Sequence, residues 1–162
     1  MPRSPHELTR RIRVLLAVFI AGLVLSGLTA FPLLHELDLL TALLGPPHGD
    51  GFVWWIHHVR MALAATYRDW PFLGYGTDWL AFGHLVIALF FIGPLRDPVR
   101  NVWVINAGLI ACAGVIPLAL ICGGIRGIPF SWRLIDCSFG VFGALPLWWL
   151  RRMIGELEKA RG

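Results

Sequence analysis

The chain has 162 residues, of which 57% are hydrophobic and only 15% charged, with a formal net charge of +4 and a mean hydropathy of +0.68. Water-soluble domains carry about 25% charged residues, and a chain this short cannot enclose so much apolar surface in a soluble core. A multi-pass membrane protein can, because lipid then solvates most side chains. The basic balance does not point to nucleic acid, since Lys and Arg gather at the ends of apolar segments.

In chain order, the first apolar run is residues 12–34, "IRVLLAVFIAGLVLSGLTAFPLL". It exceeds the usual 7–15 residue core of a secretory signal peptide, so a retained span is expected in preference to a cleaved leader. Residues 35–76 are too polar to cross. Within them "FVWWIHHVRMALAATYRDW" has helical periodicity, with Trp55, Ile56, Val59 and Leu63 on one side and His57, Arg60 and Arg68 tending to the other. An amphipathic helix over 52–68, lying along the outer membrane surface, is expected. The second apolar run covers 77–95, the third 102–122 and the fourth 132–150. The linkers "RDPVRN" and "GGIRGIPFS" are short, so neighbouring spans should be antiparallel. The expected fold is an all-α integral membrane protein: one domain, an antiparallel four-helix transmembrane bundle with an outer-face amphipathic helix between spans one and two.

Lys and Arg placement sets the orientation. With both termini cytoplasmic, ten basic residues lie inside (Arg3, Arg10, Arg11, Arg13, Arg96, Arg100, Arg151, Arg152, Lys159 and Arg161). Four lie outside: Arg60, Arg68, Arg126 and Arg133. That asymmetry follows the positive-inside rule. Small residues at four-residue spacing (Gly22, Ser26 and Ala30 in span one, Gly108 with Cys112 in span three, Gly140 with Ala144 in span four) mark packing seams. Pro117 and Pro146 should distort spans three and four and free backbone carbonyls for other donors.

Ionisable residues inside apolar segments are costly and are functional candidates by default. On span two, Thr77, Asp78, Ala81 and His84 fall within about 120° of one another, and on span four Asp136 shares a face with Gly140 and Gly143. Asp78, Asp136 and His84 are therefore expected to converge on a polar, outward-facing cavity, with Arg126, Arg133 and His57 above it as further ligand-binding candidates. As tethers instead, Asp136 would pair with Arg126 or Arg133, and His84 would bond a carbonyl freed by Pro117. Haem b needs a second axial ligand at the depth of His84, and no other histidine lies deep in a span. The cysteines, Cys112, Cys122 and Cys137, form no CxxC or zinc pattern, so no metal is expected. The partners implied are the lipid bilayer, a small polar or amphiphilic molecule to be bound or moved, and a membrane protein partner or second copy. A redox protein using haem b or quinone is the alternative, and whether the chain is an enzyme stays open.

The stretches "LSGLTAFPL", "PFLGYGTDWLAFGHLVIALFFIGPLRDPVRNVWVI" and "IRGIPFSWRLIDCSFG" resemble an uncharacterised family of small bacterial four-span integral membrane proteins. The resemblance implies that architecture and a bacterial inner membrane, and carries no activity.

Overall fold

The computed structural model describes residues 4–161, with the Arg161 side chain outside the description; Arg3, counted above among the basic residues, also lies outside it. The fold is all-α, with no strand among the described residues. The helices are α1 (Pro5–Ala30), α2 (Leu33–Leu44), α3 (Phe52–Asp69), α4 (Tyr75–Phe90), α5 (Ile92–Arg96), α6 (Val102–Pro117), α7 (Gly123–Ile125) and α8 (Phe130–Arg161). A 3₁₀ turn, Pro71–Gly74, leads into α4, and a π-helical turn, Leu118–Cys122, joins α6 to α7. Three helical stretches are long and apolar enough to cross a membrane: Pro5–Ala30, Pro71–Arg96 and Val102–Ile125. The expected fourth span lies within α8, but Arg133, Asp136, Pro146 and the Trp148–Trp149 pair leave it less apolar than the other three.

The end of the first span departs from expectation for a local reason. The first span ends at Ala30, not at residue 34, because Pro32 has no amide hydrogen and fits only the start of a new helix. The following residues, "LLHELDLLTALL", form α2, which mixed polarity had hidden in the outer segment. The helix expected over 52–68 is α3, Phe52–Asp69.

The chain divides into two compact units, Leu23–Ile87 and Met1–Gly22 with Ala88–Gly162. In the first, α2 and α3 form a hairpin across a loop whose glycines, Gly45 and Gly49, have φ of 72° and 71°, a region that disfavours residues with a Cβ. Leu37, Thr41 and Ile56 are its buried residues. Arg60 Nε donates to Asp38 Oδ1 at 2.6 Å; the pair is half-exposed, so it contributes under about 1 kcal/mol. Farther along α3, the bond from Arg68 holds the exposed Asp69 carboxyl below the usual carboxylate range. The seam between α1 and α4 is set by Gly27, where a Cβ would sit 2.9 Å from the Ala81 carbonyl oxygen. Gly22 has nothing within 4 Å. The expected Gly22–Ser26–Ala30 stripe is therefore not the contact line; the close approach lies on the Gly27 side.

In the second unit, α6 and α8 run antiparallel. A Cβ on Gly108 would meet Leu147 Cδ1 at 2.9 Å, and one on Gly140 would meet the Cys112 carbonyl oxygen at 2.5 Å. Backbone approach this close is how helices associate where no water drives them together. From the end of its apolar stretch onward, α8 buries Leu147, Leu150, Ile154 and Leu157, an i, i+3, i+7, i+10 stripe of coiled-coil spacing. Leu8, Ile12 and Leu16 of α1 belong to the same core, and Phe19 packs on Phe91 with ring centroids 4.9 Å apart. Pro117 cannot continue the amide ladder, and the π-helical turn follows it directly. Pro146 lies inside an unbroken α8.

Candidate functional site

Asp78 stands in the first turn of α4, where a carboxylate suits the helix dipole. The segment before it is held by one aromatic side chain. Tyr67, near the end of α3, lies so close over Gly74 that a Cβ there would sit 2.8 Å from Tyr67 Cε1. Thr77 Oγ1 donates to the Gly74 carbonyl at 2.7 Å. That uses its only proton, so at the 3.1 Å contact the Tyr67 hydroxyl is the donor to Thr77 Oγ1. This chain of bonds fixes the entry to α4 and leaves the Asp78 carboxylate with no hydrogen-bond or ion-pair partner among the described residues.

Two adjoining hollows open beside Asp78. One, of about 260 Å³, is lined by Phe31, Tyr75, Asp78, Trp79 and Phe82. The other, of about 370 Å³, is lined by Phe31, Tyr67, Pro71, Gly74, Tyr75 and Asp78. Tyr75, Trp79 and Phe82 form an edge-to-face series with centroids 5.9 Å apart at each step, a wall of aromatic faces and edges around a single carboxylate. The charge of the unit has the same sense. Residues 23–87 hold five carboxylates against two arginines, a formal net charge of −3 in a chain whose total is +4. Both arginines bond other acids, Arg60 to Asp38 and Arg68 to Asp69.

His84 is half-buried two turns farther along α4, its Cβ against Gly27, and lines neither hollow. Its Nδ1 lies 2.9 Å from the Leu80 carbonyl oxygen. A carbonyl only accepts, so Nδ1 carries the proton and, in the neutral ring, Nε2 keeps a free lone pair. The bond is local to α4, so the tether to a carbonyl freed by Pro117 is replaced by a bond one turn back. Because Leu80 O is also the normal acceptor for the His84 amide, removing the imidazole orphans nothing. His84→Leu is expected to keep or raise thermal stability in detergent. A loss above roughly 1 kcal/mol would instead make the ring a structural hydrogen-bonding group.

His57 is engaged: its Nε2 donates to the Gly45 carbonyl at 2.9 Å, closing the α2–α3 hairpin. Its neighbour His58 stacks on Trp54 and Trp55, with centroids 4.9 Å and 5.7 Å apart.

Arg126, Arg133 and Asp136 belong to the other unit. Arg133 lies in a trough formed by Gly123 and Gly124, where a Cβ on Gly123 would meet its Cγ and Cδ at 2.8 Å. Its Nη1 donates to the Leu120 carbonyl at 3.3 Å, and its guanidinium stands 5.4 Å from the Phe130 ring centroid. Arg133 thus adds a side-chain donor to a carbonyl in the π-helical turn that the Gly123 amide also reaches. The Gly123–Gly124 pair is the sequence signal for that seat. No ion pair joins Asp136 to Arg126 or Arg133 among the described residues, so the alternative of a tether there is not met. Arg126 is exposed after α7. The three cysteines are free, and no group of three or more His, Cys, Asp or Glu side chains among the described residues is placed to hold a metal ion.

Set against known protein families, curated proteins and solved structures, the chain finds no match in any of the three. Its functional reading therefore rests on its own residues. Those that line the Asp78 hollows, Phe31, Tyr67, Tyr75, Trp79 and Phe82, escaped the sequence reading, which followed ionisable groups. The available signal was the density of aromatics in "TYRDWPFLGYGTDWLAF" around one unpaired acid.

Proposed function

We propose that the chain is a four-span protein of the bacterial cytoplasmic membrane, with both termini cytoplasmic, that binds or moves a small amphiphile at its outer face. The head of that amphiphile is cationic, an ammonium or related group, held at Asp78. Support for the fourth span comes from α8, where Phe139, Phe142 and Trp149 are 67%, 68% and 62% exposed. So large an apolar face needs lipid or another apolar surface as its solvent.

The observation that carries the binding reading is the unpartnered Asp78 carboxylate shared by two aromatic-walled hollows. A carboxylate supplies the charge, and aromatic faces attract a cation through their quadrupoles while accepting the alkyl part of an amphiphile. The free Nε2 of His84 gives a second polar group on the same helix.

Trp79 lines one hollow, so its fluorescence is the direct readout. Titrating the protein in nanodiscs with a short alkyl-trimethylammonium should quench Trp79 saturably, measured as the difference from Trp79→Phe. The matching alkyl sulfate should not quench it. Equal, unsaturable quenching by both would leave only non-specific partitioning and overturn the reading.

A further inference from the structure

The other unit carries the opposite charge. Outside residues 23–87 the chain holds twelve basic and five acidic residues, a formal net charge of +7, and part of that charge closes the end of a groove. An apolar hollow of about 500 Å³ lies between α6 and α8, with Cys112 and Ile116 on one wall and Val141, Ala144 and Leu145 on the other. A second hollow, of about 660 Å³, runs along α8 past Arg151, Arg152, Gly155 and Lys159. Trp148 lines both, so the two share a wall at that side chain.

The helix geometry places the two hollows in line. At 100° per residue, Val141, Ala144, Leu145, Trp148, Arg152 and Lys159 fall within about 100° of one another. One face of α8 therefore passes from small and apolar residues, through a tryptophan, to two cations. Gly155 leaves the basic end open. The charged side chains are already positioned: the Arg152 guanidinium stands 3.9 Å from the Trp148 ring centroid, and Arg151 Nε donates to Asn106 Oδ1 at 3.1 Å. Glu156 and Glu158 also line this hollow and, set against Arg151, Arg152 and Lys159, leave its lining a formal net charge of +1. A tryptophan between apolar and basic zones marks the depth of a membrane interface.

We infer that this groove is a binding site for an anionic phospholipid, its phosphate headgroup at Arg152 and Lys159 and an acyl chain along the α6–α8 hollow. A zwitterionic lipid fits the tail but brings no net negative charge to a lining that is net positive. A free phosphate fits the charge but leaves the apolar hollow unfilled. The site is separate from the Asp78 hollows and stands whether or not they bind a cation.

The test is lipid binding to the full chain in a mild detergent, measured by native mass spectrometry with three probes: phosphatidylglycerol, the phosphatidylcholine of the same chains, and glycerol 3-phosphate. Phosphatidylglycerol should bind at least about tenfold more tightly than phosphatidylcholine, and glycerol 3-phosphate should not bind at the same concentration. Each juxtamembrane charge contributes about fivefold to anionic lipid affinity. Arg152→Gln with Lys159→Gln should therefore weaken phosphatidylglycerol roughly 25-fold and leave phosphatidylcholine unchanged, with thermal stability confirming that the variant is folded. Ala144→Phe, which fills the hollow, should weaken phosphatidylglycerol as well. Equal affinity for both lipids would overturn the inference, as would an inert double variant. Glycerol 3-phosphate binding as tightly as the lipid would make the site one for free phosphate. Loss of a dimer in Ala144→Phe, with lipid binding intact, would assign the groove to a second copy of the chain.

Discussion

Gly140→Ala is expected to destabilise the protein by about 2–3 kcal/mol, the upper part of the range for inserting a methyl group into a filled site. The added Cβ would lie 2.5 Å from the Cys112 carbonyl oxygen and 3.3 Å from Val115 Cβ. The first is backbone and cannot rotate away, so α6 and α8 must separate along the seam that Gly108 and Gly140 hold closed. Separation also removes the van der Waals contacts and small-residue packing that hold helices together in lipid. The control is Gly114→Ala on α6, where an added Cβ meets nothing within 4 Å. There the helix propensity of alanine should leave stability equal or up to about 1 kcal/mol higher. Thermal unfolding in one detergent, with both variants beside the parent chain, checks the pair. Equal effects at the two glycines would mean that the α6–α8 seam is not the close backbone contact described.

Asp78→Asn should weaken binding of an alkyl-trimethylammonium by one to two orders of magnitude while leaving the fold intact. The loss follows from removing a charge at close range in a partly desolvated, aromatic site, where a charge-assisted contact is worth about 1.5–3 kcal/mol. The fold should hold because Asp78 bonds nothing among the described residues, and asparagine preserves its shape. Tyr75→Leu should act in the same direction but less, since a cation over one aromatic face gains about 0.5–2 kcal/mol. An isosteric variant that bound the cation as well as the parent would remove Asp78 from the site, whatever else bound there.

What the sequence shows and hides can be traced residue by residue. The length and apolarity of the long segments carry over to α1, to α4 with α5, and to α6 with its π-helical extension, because crossing a membrane is a demand on composition and length. The amphipathic period over 52–68 gives α3 almost to its last residue for the same reason. Helix α2 was hidden because "HELD" interrupts an apolar run. The partner that holds it lies outside the segment, on α3, where Ile56 is buried with Leu37 and Thr41 and Arg60 reaches back 22 residues to Asp38. Spacing identified small residues in span one but not which of its faces meets α4, so Gly27 replaced Gly22, Ser26 and Ala30.

The candidate site follows the same division. Asp78 is conspicuous in sequence because a carboxylate opens an apolar helix. The aromatic walls around it come from Phe31 and Tyr67, brought beside Tyr75 and Trp79 only by the fold. His57 is equally conspicuous, yet its bond to a carbonyl 12 residues away depends on the turn at Gly45. Arg133 seats against Gly123 and Gly124 because the chain reverses between α7 and α8. That reversal places the side chain 13 residues back, at Leu120.

The proposed topology has four crossings, with α8 as the last and the segment holding the Asp78 hollows at the outer face. Reporter fusions test it directly, because an even number of crossings returns the end of the chain to the side of its beginning. Fusions ahead of α1, within 97–101 and after Gly162 should all report the cytoplasm, and fusions at Gly49 and Gly127 should report the outside. A reporter after Gly162 that is active outside would mean three crossings, with α8 on the surface, and a cytoplasmic signal at Gly49 would place the Asp78 hollows on the wrong side of the membrane.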